Sequence, residues 1–187
     1  MNGTDSDDSP AEHEADDALI RRWKSGEQRA ATLLVERHAG SVARFVASLG
    51  VREDVEDVVQ DTFVRAFGSI DGFRGESTLR TWLFTIARRL VIDARRSVRG
   101  RGEQVEVQDG DARTDYDPLD AMVADEAEGR LRSADARLTP TQRQVFSLRV
   151  GEGLSYREIA DVVGTTEGAA RVHYHNAMRA IKELLDD

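Results

Sequence analysis

Residues 73–96 read FRGESTLRTWLFTIARRLVIDARR, and the reading of this stretch decides the fold. It opens on a turn-prone segment, Gly72-Phe73-Arg74-Gly75, after which Ser77 offers its hydroxyl as a helix N-cap to an orphan backbone N–H. Apolar residues then fall at Leu79, Trp82, Leu83, Ile86, Ala87, Leu90 and Ala94. Steps of three and four place such residues on one face of an α-helix. The other face carries Thr81, Thr85, Arg88, Arg89, Arg95 and Arg96, a surface suited to an anionic partner. Trp82 lies on the apolar face with Leu79 and Ile86, which assigns it to the core rather than to base stacking.

The same period continues on the N-terminal side. Leu19, Ile20 and Trp23 mark a short amphipathic segment that stops near Ser25-Gly26. A longer helix is expected over 27–49, closed by Gly50, and another over 53–67. The outer face of the 53–67 helix bears Glu53, Asp54, Glu56, Asp57, Gln60 and Asp61. Acids in a first turn suit the positive end of the helix dipole, which accounts for the first three and leaves Gln60 and Asp61 unexplained. Residues 1–15 are polar and acidic, have too little apolar surface to offset ordering, and are expected to be disordered.

Beyond residue 96 the period lapses. Residues 97–115 are rich in Gly, Asp and Arg and read as linker, and residues 118–137 regain a weak helical pattern. A second block begins at Leu138. Thr139-Pro140-Thr141-Gln142 combines a cap, a proline at the first helical position and a capping-box glutamine. Ser155-Tyr156-Arg157-Glu158 is a second capping box, leading into Ile159, Ala160, Val162 and Val163; Gly164 then breaks the helix. A last helix runs from about 166 to 185. A short helix, small Ala160, a glycine four residues on and a second helix make the helix-turn-helix pattern. Ala160 permits close crossing, and Gly164 can take the positive φ of a sharp turn.

Composition sets the outer limits. The 187 residues are 40% hydrophobic and 33% charged, with three prolines and no cysteine. That size fits one modest domain or two small ones, and the near absence of strand-like alternation makes the class all-α. Without cysteine there is no disulfide framework, thiolate metal site or cysteine nucleophile. No apolar run approaches a membrane span and the N-terminus lacks an apolar signal core, so a soluble, cytoplasmic protein is expected, with no membrane contact. His173 and His175, at i and i+2, point to different sides of their helix and do not pair around a metal. The acids of the 53–67 helix come with no pocket signature, so no enzyme, metal or cofactor is expected. The formal net charge is −9, but it is unevenly spread. Residues 1–17 hold seven acids and no Lys or Arg, 18–97 hold a net +4, 98–137 a net −5 and 138–187 a net −1. A polyanion would meet the basic first block locally.

Together these motifs resemble the extracytoplasmic-function (ECF) sigma factors of the sigma-70 family. The residues that carry the resemblance are 54–63 (DVEDVVQDTF), Phe73-Arg74-Gly75-Glu76-Ser77, Thr81-Trp82-Leu83 and Ile86-Ala87-Arg88 in the first block. In the second they are Leu138-Thr139-Pro140, Gln142-Arg143, Gly153-Leu154-Ser155-Tyr156, Glu158-Ile159-Ala160 and Gly164. The resemblance implies two small helical domains joined by a flexible linker: an acidic tail over 1–15, region 2 over 16–97, an acidic linker over 98–137 and region 4 over 138–187. It also implies partners: the clamp helices of the largest subunit of core RNA polymerase, the flap of the second-largest, promoter DNA and an inhibitory anti-sigma factor. Asp54, Asp57, Gln60 and Asp61 correspond to the polymerase contact. Phe73, Arg74, Ser77, Arg80, Arg88, Arg89, Arg95 and Arg96 correspond to the −10 contact, and Arg171, His173, His175, Asn176 and Arg179 to the −35 contact. Arg171 suits guanine and Asn176 adenine. The chain departs from the family in having His173, His175 and Asn176 where basic residues are usual, and Ala170 where a larger Val is common. With fewer phosphate-neutralising cations, low DNA affinity is expected for the protein alone. A dimeric repressor or activator of helix-turn-helix type, or a module whose basic helix binds an acidic protein, are the competing readings, and neither accounts for both blocks.

Overall fold

The computed structural model describes residues 10–100 and 137–185, and among these every regular element is helical. The first block comprises α1 (Pro10–Lys24), α2 (Gln28–Ser48), α3 (Val55–Gly68), a single 3-10 turn (Ile70–Gly72) and α4 (Leu79–Gly100). The second comprises α5 (Pro140–Phe146), which runs on into a π turn (Ser147–Gly151), then α6 (Tyr156–Val163) and α7 (Glu167–Leu185). Among the described residues no helix is long and apolar enough to cross a membrane.

The periodicity identifies Leu79, Leu83, Ala87 and Leu90 of α4 as buried, but Ala94 is exposed, and Phe84 and Val91, outside the expected stripe, are buried. Leu34, Val42, Phe45 and Val46 of α2 meet Phe63 and Ala66 of α3 and Leu83, Phe84 and Ala87 of α4, all buried. Phe45 and Phe84 lie at the centre with ring centroids 5.0 Å apart. Each contributes about 1.5–3 kcal/mol through removal of its ring from water. Leu19 and Ile20 of α1 close the block on one side, where Trp23 packs on Phe67 at 5.2 Å.

Three details depart from the expectations. First, α1 begins at Pro10, inside the 1–15 stretch expected to be disordered; residues 1–9 lie outside the described residues. Proline is well suited to a first helical position. Asp16, on the same helix, is buried and anchored: its carboxylate accepts hydrogen bonds from Arg37 Nη1 at 2.6 Å and His38 Nε2 at 2.8 Å. Burial pushes this carboxyl up, but the bonds and charges of His38 and Arg37 outweigh burial and hold it below its ordinary range. Second, the cap of α4 is Thr78, whose Oγ1 accepts from Thr81 N at 3.1 Å; Ser77 only donates a long bond to the Thr78 carbonyl. The two hydroxyls are adjacent, and the one three residues before a free helical N–H is the one in register. Third, Trp82 is half-buried at the core margin, against Phe73 at 5.1 Å. The 118–137 helical pattern falls almost wholly outside the described residues.

The two blocks share one hydrophobic cluster, with α4 packed on α6. Polar links cross the seam among the described residues. Arg44 of α2 forks onto Glu152 of the Gly151–Gly153 turn, at 2.9 and 3.2 Å. Arg88 Nε donates to Gln144 Oε1 at 2.9 Å, and Thr81 Oγ1 donates to Glu158 Oε1 at 3.3 Å. The Glu152 side chain is 2% exposed, so its charge depends on Arg44 for compensation.

Candidate nucleic-acid and polymerase interfaces

The expected polymerase contact is a continuous stripe. Asp54 flanks the N-terminus of α3, and Asp57, Gln60 and Asp61 follow on its outer side; all four are exposed. Asp57 and Asp61 stand one turn apart, and Val64, 64% exposed, continues the line. An exposed valine bordered by carboxylates gives the stripe an apolar element that the sequence reading did not single out. Its i+3 spacing from Asp61 was the available signal. The buried side of the same helix, Thr62, Phe63 and Ala66, fixes which way the acids point.

The residues expected to meet the −10 element divide into two sets. Arg74, Arg89 and Arg96 are exposed, and Phe73 and Ser77 are half-buried at the loop before α4. Gly75 in that loop has φ +71°, a conformation that favours glycine. Arg80 and Arg88 are half-buried, and Arg88 is bonded across the seam to Gln144. Arg95 donates to the Leu49 carbonyl, closing the C-terminus of α2. The expectation of an open basic face on α4 is therefore corrected. Thr81 is 1% exposed, and α6 covers the middle of that face because Ile159 and Val162 need an apolar partner.

The helix-turn-helix forms as its local signals require. Thr139 and Ser155 both make complete capping boxes, with Gln142 and Glu158. Gly164 ends α6 at φ 74°, ψ 44°, where a side chain would add strain. Ala160 is 6% exposed and Ala170 fully buried where α6 and α7 cross. Thr166 Oγ1 accepts from Ala169 N at 3.2 Å and so caps α7. The open side of α7 presents Glu167, Gly168, Arg171, Val172, His175, Met178 and Arg179, while His173 and Asn176 are half-buried on its flanks. Arg171 is paired with Glu167 at 2.9 Å and lies 5.1 Å from the Tyr156 ring centroid. Asn176 Oδ1 accepts from Arg179 Nη2 at 3.1 Å. Val172 and Met178, which as apolar residues of this helix are expected to be available for burial, are instead 57% and 40% exposed, because α7 packs through Ala170 and Ala177.

Comparison with known proteins agrees with this architecture. The family model for Sigma-70 region 2 matches residues 34–101, and that for Sigma-70, region 4 matches residues 129–181. The ECF RNA polymerase sigma-E factor of Haemophilus influenzae is 32% identical, over 94% of this chain and 97% of the relative. The ECF RNA polymerase sigma-E factor of Escherichia coli is also 32% identical, over 91% and 94%. Among solved structures, CnrH in complex with the cytosolic domain of CnrY superimposes with a TM-score of 0.66 at 30% identity, covering 92% of this chain and 97% of that one. The sigma factor RpoE of Bartonella quintana, in complex with the anti-sigma factor NepR, does so with a TM-score of 0.63 at 27% identity, covering 83% and 96%. With both family models matched in order and these relatives matched over almost their whole length, the chain belongs to the ECF sigma factors of the sigma-70 family, non-catalytic RNA polymerase sigma factors that direct transcription initiation.

Proposed function

We propose that residues 16–97 hold core polymerase and the −10 element while residues 138–187 read the −35 element, both within the bacterial cytoplasm. Asp54, Asp57, Gln60 and Asp61 would dock on the clamp helices of the largest subunit, and the second block on the flap of the second-largest. Phe73, Arg74 and Ser77 meet an unstacked base at the loop, and Arg80, Arg88, Arg89, Arg95 and Arg96 neutralise phosphates, contacts that position rather than specify. Arg171, His175 and Arg179, with His173 and Asn176 beside them, face the major groove. The observation that carries this reading is the open outer side of α7 behind a capped, glycine-turned α6.

The two elements lie about 25 base pairs apart, or about 85 Å at 3.4 Å per pair. Two blocks joined at side-chain distance by Arg44–Glu152 and Thr81–Glu158 do not reach both. The blocks therefore part when they load onto polymerase, and the 36 residues 101–136 have an extended reach of at most about 120 Å, enough for that span. An anti-sigma factor that favours the packed form would oppose loading; RpoE of Bartonella quintana was solved with an anti-sigma factor, and CnrH with the cytosolic domain of CnrY. Binding that needs both blocks anchored on one enzyme gains from effective concentration, which suits a recognition helix with few cations.

Run-off transcription with bare core polymerase on a promoter library tests the reading. The expected result is start-site selection conferred by this chain, lost on Asp57→Arg with Asp61→Arg. Arg171→Ala should relax preference at one −35 position by about 1–3 kcal/mol. Tight promoter binding by the protein alone in moderate salt would count against the anchoring argument.

A further inference from the structure

We propose that Val172 is a specificity residue that reads the 5-methyl group of a thymine in the −35 element, next to the base read by Arg171. The proposal rests on α7 being the helix that enters the major groove.

Val172 takes no part in the buried core of the described residues. It is 57% exposed, and α7 packs through Ala170 and Ala177 with Tyr174 beside them. Block two covers Thr81 on α4 through α6, whereas block one leaves Val172 open. Nor does the residue help its helix, since a β-branched side chain is a poorer helix former than alanine. Its position is central. Arg171 and Val172 each lie three or four residues from both Gly168 and His175, so the four outline one patch on the first turns of α7. At the Gly168 corner an added Cβ would meet nothing within 4 Å, so a base pair has room to approach. At the Arg171 corner the guanidinium is steadied by Glu167 and by the Tyr156 ring, which fixes where the polar reader stands.

The chemistry then selects the base. An isopropyl group neither donates nor accepts. Of the groups displayed in the major groove only the thymine methyl gains from meeting it. Placed against an adenine, cytosine or guanine edge, it would strip water from a donor or acceptor and replace it with nothing.

The test uses full-length protein with core polymerase on the −35 element selected from a randomised library, with each thymine replaced in turn by uracil, which removes only the methyl. For the unmodified protein one uracil should weaken open-complex formation about three- to fourfold, the equivalent of one buried methyl at about 0.8 kcal/mol. Val172→Ala, whose single methyl group reaches less far from the helix, should lose most of that discrimination. Cytosine at the same position should be a poor substitute, and 5-methylcytosine a better one. The proposal is overturned if the selected element has no methyl-sensitive position, or if Val172→Ala keeps the full methyl effect. It is equally overturned if Val172→Ala acts only on the affinity for polymerase or another protein. In each of these cases start-site selection can persist, and the sigma-factor reading with it. Loss of all −35 preference in the unmodified protein would instead sink the assignment of α7.

Discussion

Thr81 on α4 is 1% exposed and Val172 on α7 is 57% exposed, although each sits on the side of its helix that is turned away from its own block's core. The first side is covered by α6, and the second is left to solvent. The asymmetry follows from the apolar inventory of the second block. Helix α6 has eight residues and buries four of them, Ile159, Ala160, Val162 and Val163, more than the slender α5 and α7 can enclose. It finds the remaining cover on α4, and Arg44, Arg88 and Thr81 supply polar links at the rim. The packed form thus covers one of these sides and leaves the other open.

The largest expected effect breaks or confirms this contrast directly. The chain has no cysteine, so single thiols report on single sites. Thr81→Cys should be alkylated roughly a thousandfold more slowly than Val172→Cys, if parting the blocks costs about 4 kcal/mol. Equal rates would mean that the blocks are not packed in solution. Next in size, Arg44→Ala leaves the Glu152 carboxylate buried without its guanidinium. Breaking a buried pair costs up to about 5 kcal/mol, which Arg44's exposure reduces to about 2 kcal/mol. Alkylation of Thr81→Cys should then accelerate about thirtyfold, while that of Val172→Cys stays unchanged.

A third measurement asks whether acid loosens block one before block two. Because the Asp16 carboxyl is held below its ordinary value, its contribution is present above the unfolded carboxylate pKa. It is lost as pH falls through the lower folded value. Asp16→Asn should cost about 1–2 kcal/mol at pH 7, given that Arg37 is partly exposed, and should flatten the acid limb of the stability curve below about pH 4. Urea melts at pH 7 and pH 3, followed by proteolysis within α1, give the comparison. The smallest effect lies in block two: Ser155→Ala removes one half of a capping box and should lower stability by about 1 kcal/mol in thermal melts. A loss much larger than that would show that the Glu158 link to Thr81 depends on the cap as well.

Much of this was legible because the signals are local. The Ser155–Glu158 box, the αL glycine at 164 and the periods of α2, α3 and α4 each involve residues within a turn or two of one another, where backbone geometry alone dictates the partner. The acidic stripe of α3 was legible for the same reason. The cap of α4 shifted by one residue because Ser77 and Thr78 are equally able acceptors, and only the register of the finished helix chooses between them. The helix at Pro10 was missed because its anchor, Asp16 with Arg37 and His38, joins residues more than twenty positions apart.

From its own order of residues the chain determines most of its helices, the two capping boxes of block two and the helix-turn-helix turn, since these depend on a period of 3.6 and on one special φ. Tertiary structure alone decided that Thr81 would be sheltered and Val172 would not. That choice was settled by apolar surface on α6 seeking cover 77 residues away from Thr81, a contact with no trace in any window of the sequence.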